Sequence, residues 1–160
     1  MLDTSAWVAA YRAEVAANLL DLFRLIVPEA VANEIAARDP AFPAREYPHA
    51  SLFRHLRHRM TVVPASAGLP LPAFGPGEAA ALALAQQHRW LVLVNEWRAV
   101  EHAGNLGLVV VTIPTVIVRL HLAGVISRRA VHRKLDLISS ITTRAYIDEA
   151  RRLVDEAGLP

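Results

Sequence analysis

Leu91-Val92-Leu93-Val94-Asn95-Glu96 is the stretch on which the fold turns. Four consecutive apolar residues with no alternation are expected of a strand buried on both faces, as in a parallel sheet. Leu25-Ile26-Val27, stopped by Pro28, and Thr61-Val62-Val63 are shorter runs of the same kind, and Leu108 to Thr112 is β-branched. Between these runs the pattern is helical. One helix or two cover about Ser5 to Arg24. Another runs from Pro28, whose missing donor costs nothing in a first turn, to about Arg38. Further helices are expected near Ala50 to Arg59, Glu78 to His88 and Arg98 to Asn105. Three more close the chain, near Thr115 to Ala123, Ser127 to Ser139 and Thr143 to Ala157, with Gly124 and Gly158 as stops. Strands alternating with helices predict an α/β fold with a parallel sheet and helices on both faces. The proline-rich stretches from Asp39 to Pro48 and from Pro64 to Gly77 read as loops of one sheet, not as linkers.

Composition agrees. At 160 residues, 54% hydrophobic and 20% charged, the chain suits one domain over residues 1–160 with a substantial core, and disorder is excluded as its default state. The absence of cysteine removes disulfides, thiolate metal sites and cysteine nucleophiles. An acid at position 3, with no basic region and apolar run, is not the start of a signal peptide. The longest apolar candidates for a membrane span, Leu106 to Leu122 among them, are broken by Pro114 or Arg119. A soluble, cytoplasmic protein with no membrane contact is expected. Net charge is only +2, but Arg54, His55, Arg57, His58 and Arg59 cluster, as do Arg128, Arg129, His132, Arg133 and Lys134. Such local basic patches suit a polyanion, or are simply solvated helix faces.

Acids stand where strands should hand over to helices: Asp3, Glu34, Glu78 and the Asn95-Glu96 pair. In an open parallel sheet the carboxyl ends of strands converge on one edge, where ligands bind. Carboxylates gathered there repel one another, and a hard divalent cation relieves the repulsion and supports phosphodiester chemistry. Singly, each has a plainer role. Asp3 heads the N-cap string Asp3-Thr4-Ser5, Glu34 suits a solvated helix face, and Glu78 suits a helix first turn. Gly75-Pro76-Gly77-Glu78-Ala79-Ala80 matches a dinucleotide fingerprint in form, but no strand precedes it and the glutamate would repel a pyrophosphate. His49, His55 and His58 do not read as a metal site, because the neighbouring arginines oppose a cation.

Taken together, Leu2-Asp3-Thr4-Ser5, Val27-Pro28 through Ala32-Asn33-Glu34-Ile35, Gly77-Glu78 through Ala85, and Leu91 through Glu96 resemble the PIN-domain ribonucleases, VapC-type toxins included. Gly107 to Thr112 and Leu122 to Ile126 fit the branch in which a threonine follows the last strand. The resemblance implies a three-layer α/β/α sandwich with a central parallel sheet, and metal-dependent cleavage of single-stranded RNA. It implies Asp3, Glu34 and Glu78 as holders of Mg2+ or Mn2+, with Asn95 and Glu96 completing the site and Thr4 or Ser5 orienting a carboxylate or a bound water. RNA would approach over Arg54, Arg57 and Arg59. A homodimer and an antitoxin protein partner are implied as well. Asn95 stands where the family usually places an aspartate, and Val100 where this branch often carries an arginine. A catalytically attenuated domain that binds RNA or a protein partner is therefore the alternative to the enzyme, and a DNA-directed nuclease is a third.

Overall fold

The computed structural model describes residues 1–38, 40–64 and 73–158, so most of the expected loop from Pro64 to Gly77 lies outside the described residues. Helices dominate. They are α1 (Thr4–Arg12), α2 (Ala16–Leu22), α3 (Glu29–Ala36), α4 (Pro48–Leu56), α5 (Pro76–His88), α6 (Trp97–Asn105), α7 (Ile113–Leu122), α8 (Arg128–Ile138) and α9 (Arg144–Ala157). The strands are short: β1 (Ile26–Pro28), β2 (Thr61–Val63), β3 (Val92–Leu93) and β4 (Val110–Val111).

The parallel strands expected of an α/β fold are present. Among the described residues they form two pairs, β1 with β2 and β3 with β4. Ile26 pairs with Thr61 and Val92 with Val110. The opening segment lies between the pairs. Leu2 N–H donates to the Ile26 carbonyl at 2.9 Å, Leu93 N–H donates to Met1, and Asp3 N–H donates back to Leu93 at 3.1 Å. This segment makes one parallel bridge, Leu2 with Leu93, outside the named strands. Pro28 differs from expectation: it ends β1 in an extended conformation, and α3 begins one residue later.

The expected helix from Ser5 to Arg24 is two helices. Glu14 takes a φ of 56° between them, a backbone region that costs any residue with a Cβ. Lys134, only 7% exposed on α8, supplies what holds the break: its Nζ donates to the carbonyls of Ala13 and Glu14 at 3.0 and 3.2 Å. A lysine placed against the last carbonyls of a helix satisfies acceptors that have no partner within the helix. Trp7 anchors α1 to α4, with its indole N–H donating to the His49 carbonyl at 2.9 Å and its ring edge-on to Phe53 at 5.3 Å. Leu2, Trp7, Ile35, Leu82, Leu93 and Ile117 are fully buried in one core, which fixes the strand ends relative to α1, α3 and α5.

Candidate functional site

Asp3 lies just past the bridge to Leu93 and is 2% exposed. Its side chain caps α1, accepting from Ser5 N–H at 2.9 Å on Oδ1 and from the Ser5 hydroxyl at 2.5 Å on Oδ2. The same hydroxyl accepts from Asn95 N–H at 2.9 Å. Ser5 thus links the carboxyl ends of the first segment and of β3. Burial raises the Asp3 carboxyl to about 6; the Ser5 hydrogen bonds oppose that rise and the nearby Glu34 adds to it.

Glu34 projects from α3 into the same region. Thr4 donates its hydroxyl to Oε2 at 2.7 Å, and Gly77 donates its backbone N–H to Oε1 at 2.6 Å. Gly77 approaches so closely that an added Cβ would stand 2.6 Å from the Glu34 carboxyl carbon. An added side chain would have to displace that carboxylate. The next residue, Glu78, is half-buried and pushed up to about 7, first by burial and then by Asp3 and Glu96, with a smaller contribution from Glu34 and a backbone hydrogen bond from Gly75 opposing the rise. A bond from the third helical residue back to the cap residue is half of a capping box. Capping and membership of the acid cluster are therefore compatible roles for both Asp3 and Glu78.

Asn95 is 3% exposed. Its Nδ2 donates to the Ile141 carbonyl at 3.2 Å and to the Thr142 hydroxyl at 2.9 Å, which ties the end of β3 to the turn between α8 and α9. The carbonyl of Ile141 accepts only, so it fixes which end of the amide faces that turn. Oδ1 is left buried without a hydrogen-bond partner among the described residues. Glu96 is exposed and caps α6 by its backbone alone.

The donors offered to an ion are all oxygens: the carboxylates of Asp3, Glu34, Glu78 and Glu96, and Asn95 Oδ1. Hard cations such as Mg2+ take such a set. Two carboxyls whose proton affinity is raised, first by burial and then by neighbouring acids, also suit a cation, because a nearby positive charge favours the ionised form. Both Glu34 oxygens already accept internal hydrogen bonds, although each keeps a second lone pair. As the side chains stand, no three His, Asp or Glu groups among the described residues are close enough to share one metal ion. The donor chemistry fits; the ligand shell is not assembled.

Both basic clusters are partly ion-paired. Arg54 makes a two-pronged pair with Glu46 at 2.6 and 2.9 Å, and Arg59 meets Asp21 at 3.0 Å. Arg57 is exposed in the 3-10 turn that precedes β2. That turn is at the amino end of the β1–β2 pair, whereas the acids follow the carboxyl ends of their segments. In the second cluster Arg128 and His132 share Asp155, Arg133 meets Glu14, and Lys134 is the buried cap already described.

Three features escape a reading of the sequence. Gly77 looks like turn punctuation, although a glycine directly before an acid at a helix start is a usable signal. The tether from Asn95 to Ile141 and Thr142 spans more than forty residues and leaves no local trace. Lys134 counts as part of a basic run until its helical position is considered.

A family model described as PIN domain matches residues 2–158, and the chain belongs to that family. No curated protein and no solved structure matches it. Family membership agrees with the resemblance carried by the acid-bearing motifs. It associates the chain with nuclease-type function in general, while no helix among the described residues is long and apolar enough to cross a membrane.

Proposed function

We propose that this protein is a Mg2+- or Mn2+-dependent ribonuclease that cleaves single-stranded RNA at the edge formed by Asp3, Glu34, Glu78, Asn95 and Glu96. The observation that carries this reading is the convergence of Asp3, Glu34 and Glu78 on one edge, where Thr4 and Gly77, the neighbours of Asp3 and Glu78, both donate to Glu34, and where burial first, then Asp3 and Glu96, raise Glu78 to about 7. Surface glutamates solvated independently do not do this. When bound, the ion lowers the pKa of a water and neutralises charge that builds on the phosphate. Asp3 and Glu78 are the direct holders, and Glu96 sits at the open margin. Glu34, gripped by Thr4 and Gly77, is a fixed acceptor. Ser5 orients the Asp3 carboxylate while anchoring the backbone at Asn95. The two strand pairs, joined through Met1–Asp3, serve as one working sheet in a three-layer domain spanning the chain.

Mn2+ titration of the native protein and of an Asp3→Asn, Glu78→Gln double variant tests the site. A ligand that binds only the folded state raises Tm, so Mn2+ should stabilise the native protein and leave the variant unmoved. Cleavage of a generic single-stranded RNA should follow the same pattern. Equal Mn2+ responses in both proteins would sink the assignment.

Asn95 favours a second reading, an attenuated domain that binds RNA or a protein partner. Its amide is held by a carbonyl that an aspartate could not satisfy, so the neutral residue is built into the fold. RNA bound but uncut in saturating Mn2+ would select this reading. The toxin role, the antitoxin partner and the homodimer rest on the motif resemblance, a cytoplasmic location on the absence of cysteine and of signal-like sequence, and contact of RNA with Arg54, Arg57 and Arg59 is proposed on charge. Replacing the three arginines should flatten the salt dependence of RNA binding.

A further inference from the structure

The two turns that carry Glu78 and Glu96 each run directly into a wall of one cleft. Phe74 immediately precedes Gly75, the cap of α5, and Trp97 immediately follows Glu96 at the start of α6. The cleft they line has a volume of about 390 Å³, with Arg98, Glu101 and His102 also on its walls. That volume lies in the lower part of the range for small-molecule clefts. One flank is aromatic: the rings of Phe74 and His102 stand 5.0 Å apart at 55°. Trp97 is 51% exposed, whereas Trp7 is fully buried and Trp90 half-buried. Core packing therefore accounts for the other two indoles and leaves most of this one in water.

The wall chemistry narrows the occupant. Glu101 on the wall, with Glu96 just before Trp97 in the chain, disfavours an anion inside the cleft, and the exposed Trp97 favours a flat, uncharged ring. Exposed Arg98, next to Trp97, offers a guanidinium for a phosphate at the rim. A nucleotide has both parts. We infer that this cleft is a nucleobase subsite, in which a base adjoining the scissile phosphate of single-stranded RNA stacks on Trp97 beside the Phe74–His102 pair while Arg98 meets its phosphate. Base–aromatic stacking tolerates any base identity, because every base has a π face. The subsite therefore supplies grip and register more than sequence selection. This inference rests on the ribonuclease reading and adds where the substrate's base lies.

Anisotropy of a labelled short oligouridylate, measured in EDTA so that nothing is cut and repeated in Mn2+, tests the assignment, with tryptophan emission followed in the same titration. RNA should quench the emission of the native protein. Trp97→Ala should weaken binding about 5- to 150-fold, the range given by alanine substitution at base-stacking residues, and Trp97→Phe should restore most of it. His102→Ala should weaken binding less. An oligomer carrying abasic sites should bind the native protein as poorly as the intact oligomer binds Trp97→Ala. Unchanged affinity in Trp97→Ala, or equal binding of abasic and intact oligomers, overturns the subsite and leaves the ribonuclease reading standing. A native protein that binds no RNA in either condition overturns both.

Discussion

Gly77→Ala is the sharpest perturbation the site offers, because the added Cβ would stand 2.6 Å from the Glu34 carboxyl carbon. Either Glu34 swings away or the start of α5 shifts. Both movements break the 2.6 Å hydrogen bond from Gly77 N–H to Glu34. A hydrogen bond to a charged group contributes about 1.5–3 kcal/mol. Replacing glycine in a helix returns at most about 0.5–1 kcal/mol. The net loss is about 0.5–2.5 kcal/mol, which lowers Tm by about 1–10 °C for a domain of this size. Gly104→Ala is the control, since nothing lies within 4 Å of its added Cβ, and there the same change should be neutral or mildly stabilising. Thermal and urea denaturation of both variants, with and without Glu34→Ala, completes a double-mutant cycle. With the carboxylate gone, Gly77→Ala should cost little, so the two changes are strongly non-additive. If Gly77→Ala is as harmless as Gly104→Ala, or costs the same with and without Glu34, the close approach is not what fixes this glycine.

Further outcomes follow from the same geometry. Asp3 at about 6 and Glu78 at about 7 bind protons more tightly folded than unfolded, so their contribution is full below about pH 4 and is lost as pH rises to about 7. Metal-free protein should therefore lose stability between pH 5 and 8 more steeply than Asp3→Asn, Glu78→Gln protein, while the Mn2+ response grows with pH because the ion competes with protons; a flat difference between the two pH profiles refutes this. Asn95→Asp removes the donor to Ile141 and sets two acceptors face to face, at a cost of about 1–3 kcal/mol in the metal-free protein. Mn2+ should recover part of that loss by meeting the added charge, and urea midpoints with and without Mn2+ would reveal it. Lys134→Met should lower stability by about 1–3 kcal/mol through the unpaired carbonyls of Ala13 and Glu14, and leave the salt dependence of RNA binding unaltered; a changed salt slope would return Lys134 to the RNA-facing surface.

Strand ends and the helices after them were legible because apolar runs report burial, and burial sets where the chain must turn. Strand length was not. Leu108 to Thr112 reads as five residues of strand, yet Val110–Val111 is what pairs, since hydrophobicity does not record which carbonyl meets which amide. Asp3, Glu34, Glu78 and Glu96 stood out as acids where strands hand over to helices, and in the structure Asp3, Glu96 and Glu34 all raise the proton affinity of Glu78 beyond the effect of its burial. The basic clusters were legible as cations but not as ion pairs. The partners Glu46, Asp21, Asp155 and Glu14 lie outside the runs themselves, so local composition shows the cations and hides the acids paired with several of them. Lys134 did leave a trace: Val131, Leu135 and Ile138 mark the buried stripe of α8, and position 134 falls on it.

The bridge from Leu2 to Leu93 has a consequence for the order of events during synthesis. A chain grows at roughly 5–20 residues per second, so on the order of 5–20 s pass between the appearance of Asp3 and of its partner segment. Over that interval α1 can close its first turn on the Asp3 cap, but the serine that orients the carboxylate has no Asn95 amide to hold. Closing so long a loop is slow compared with forming the local helices. A nascent chain therefore carries its acids apart, and the edge where they meet comes into being only after the second strand pair has been made and has left the ribosome.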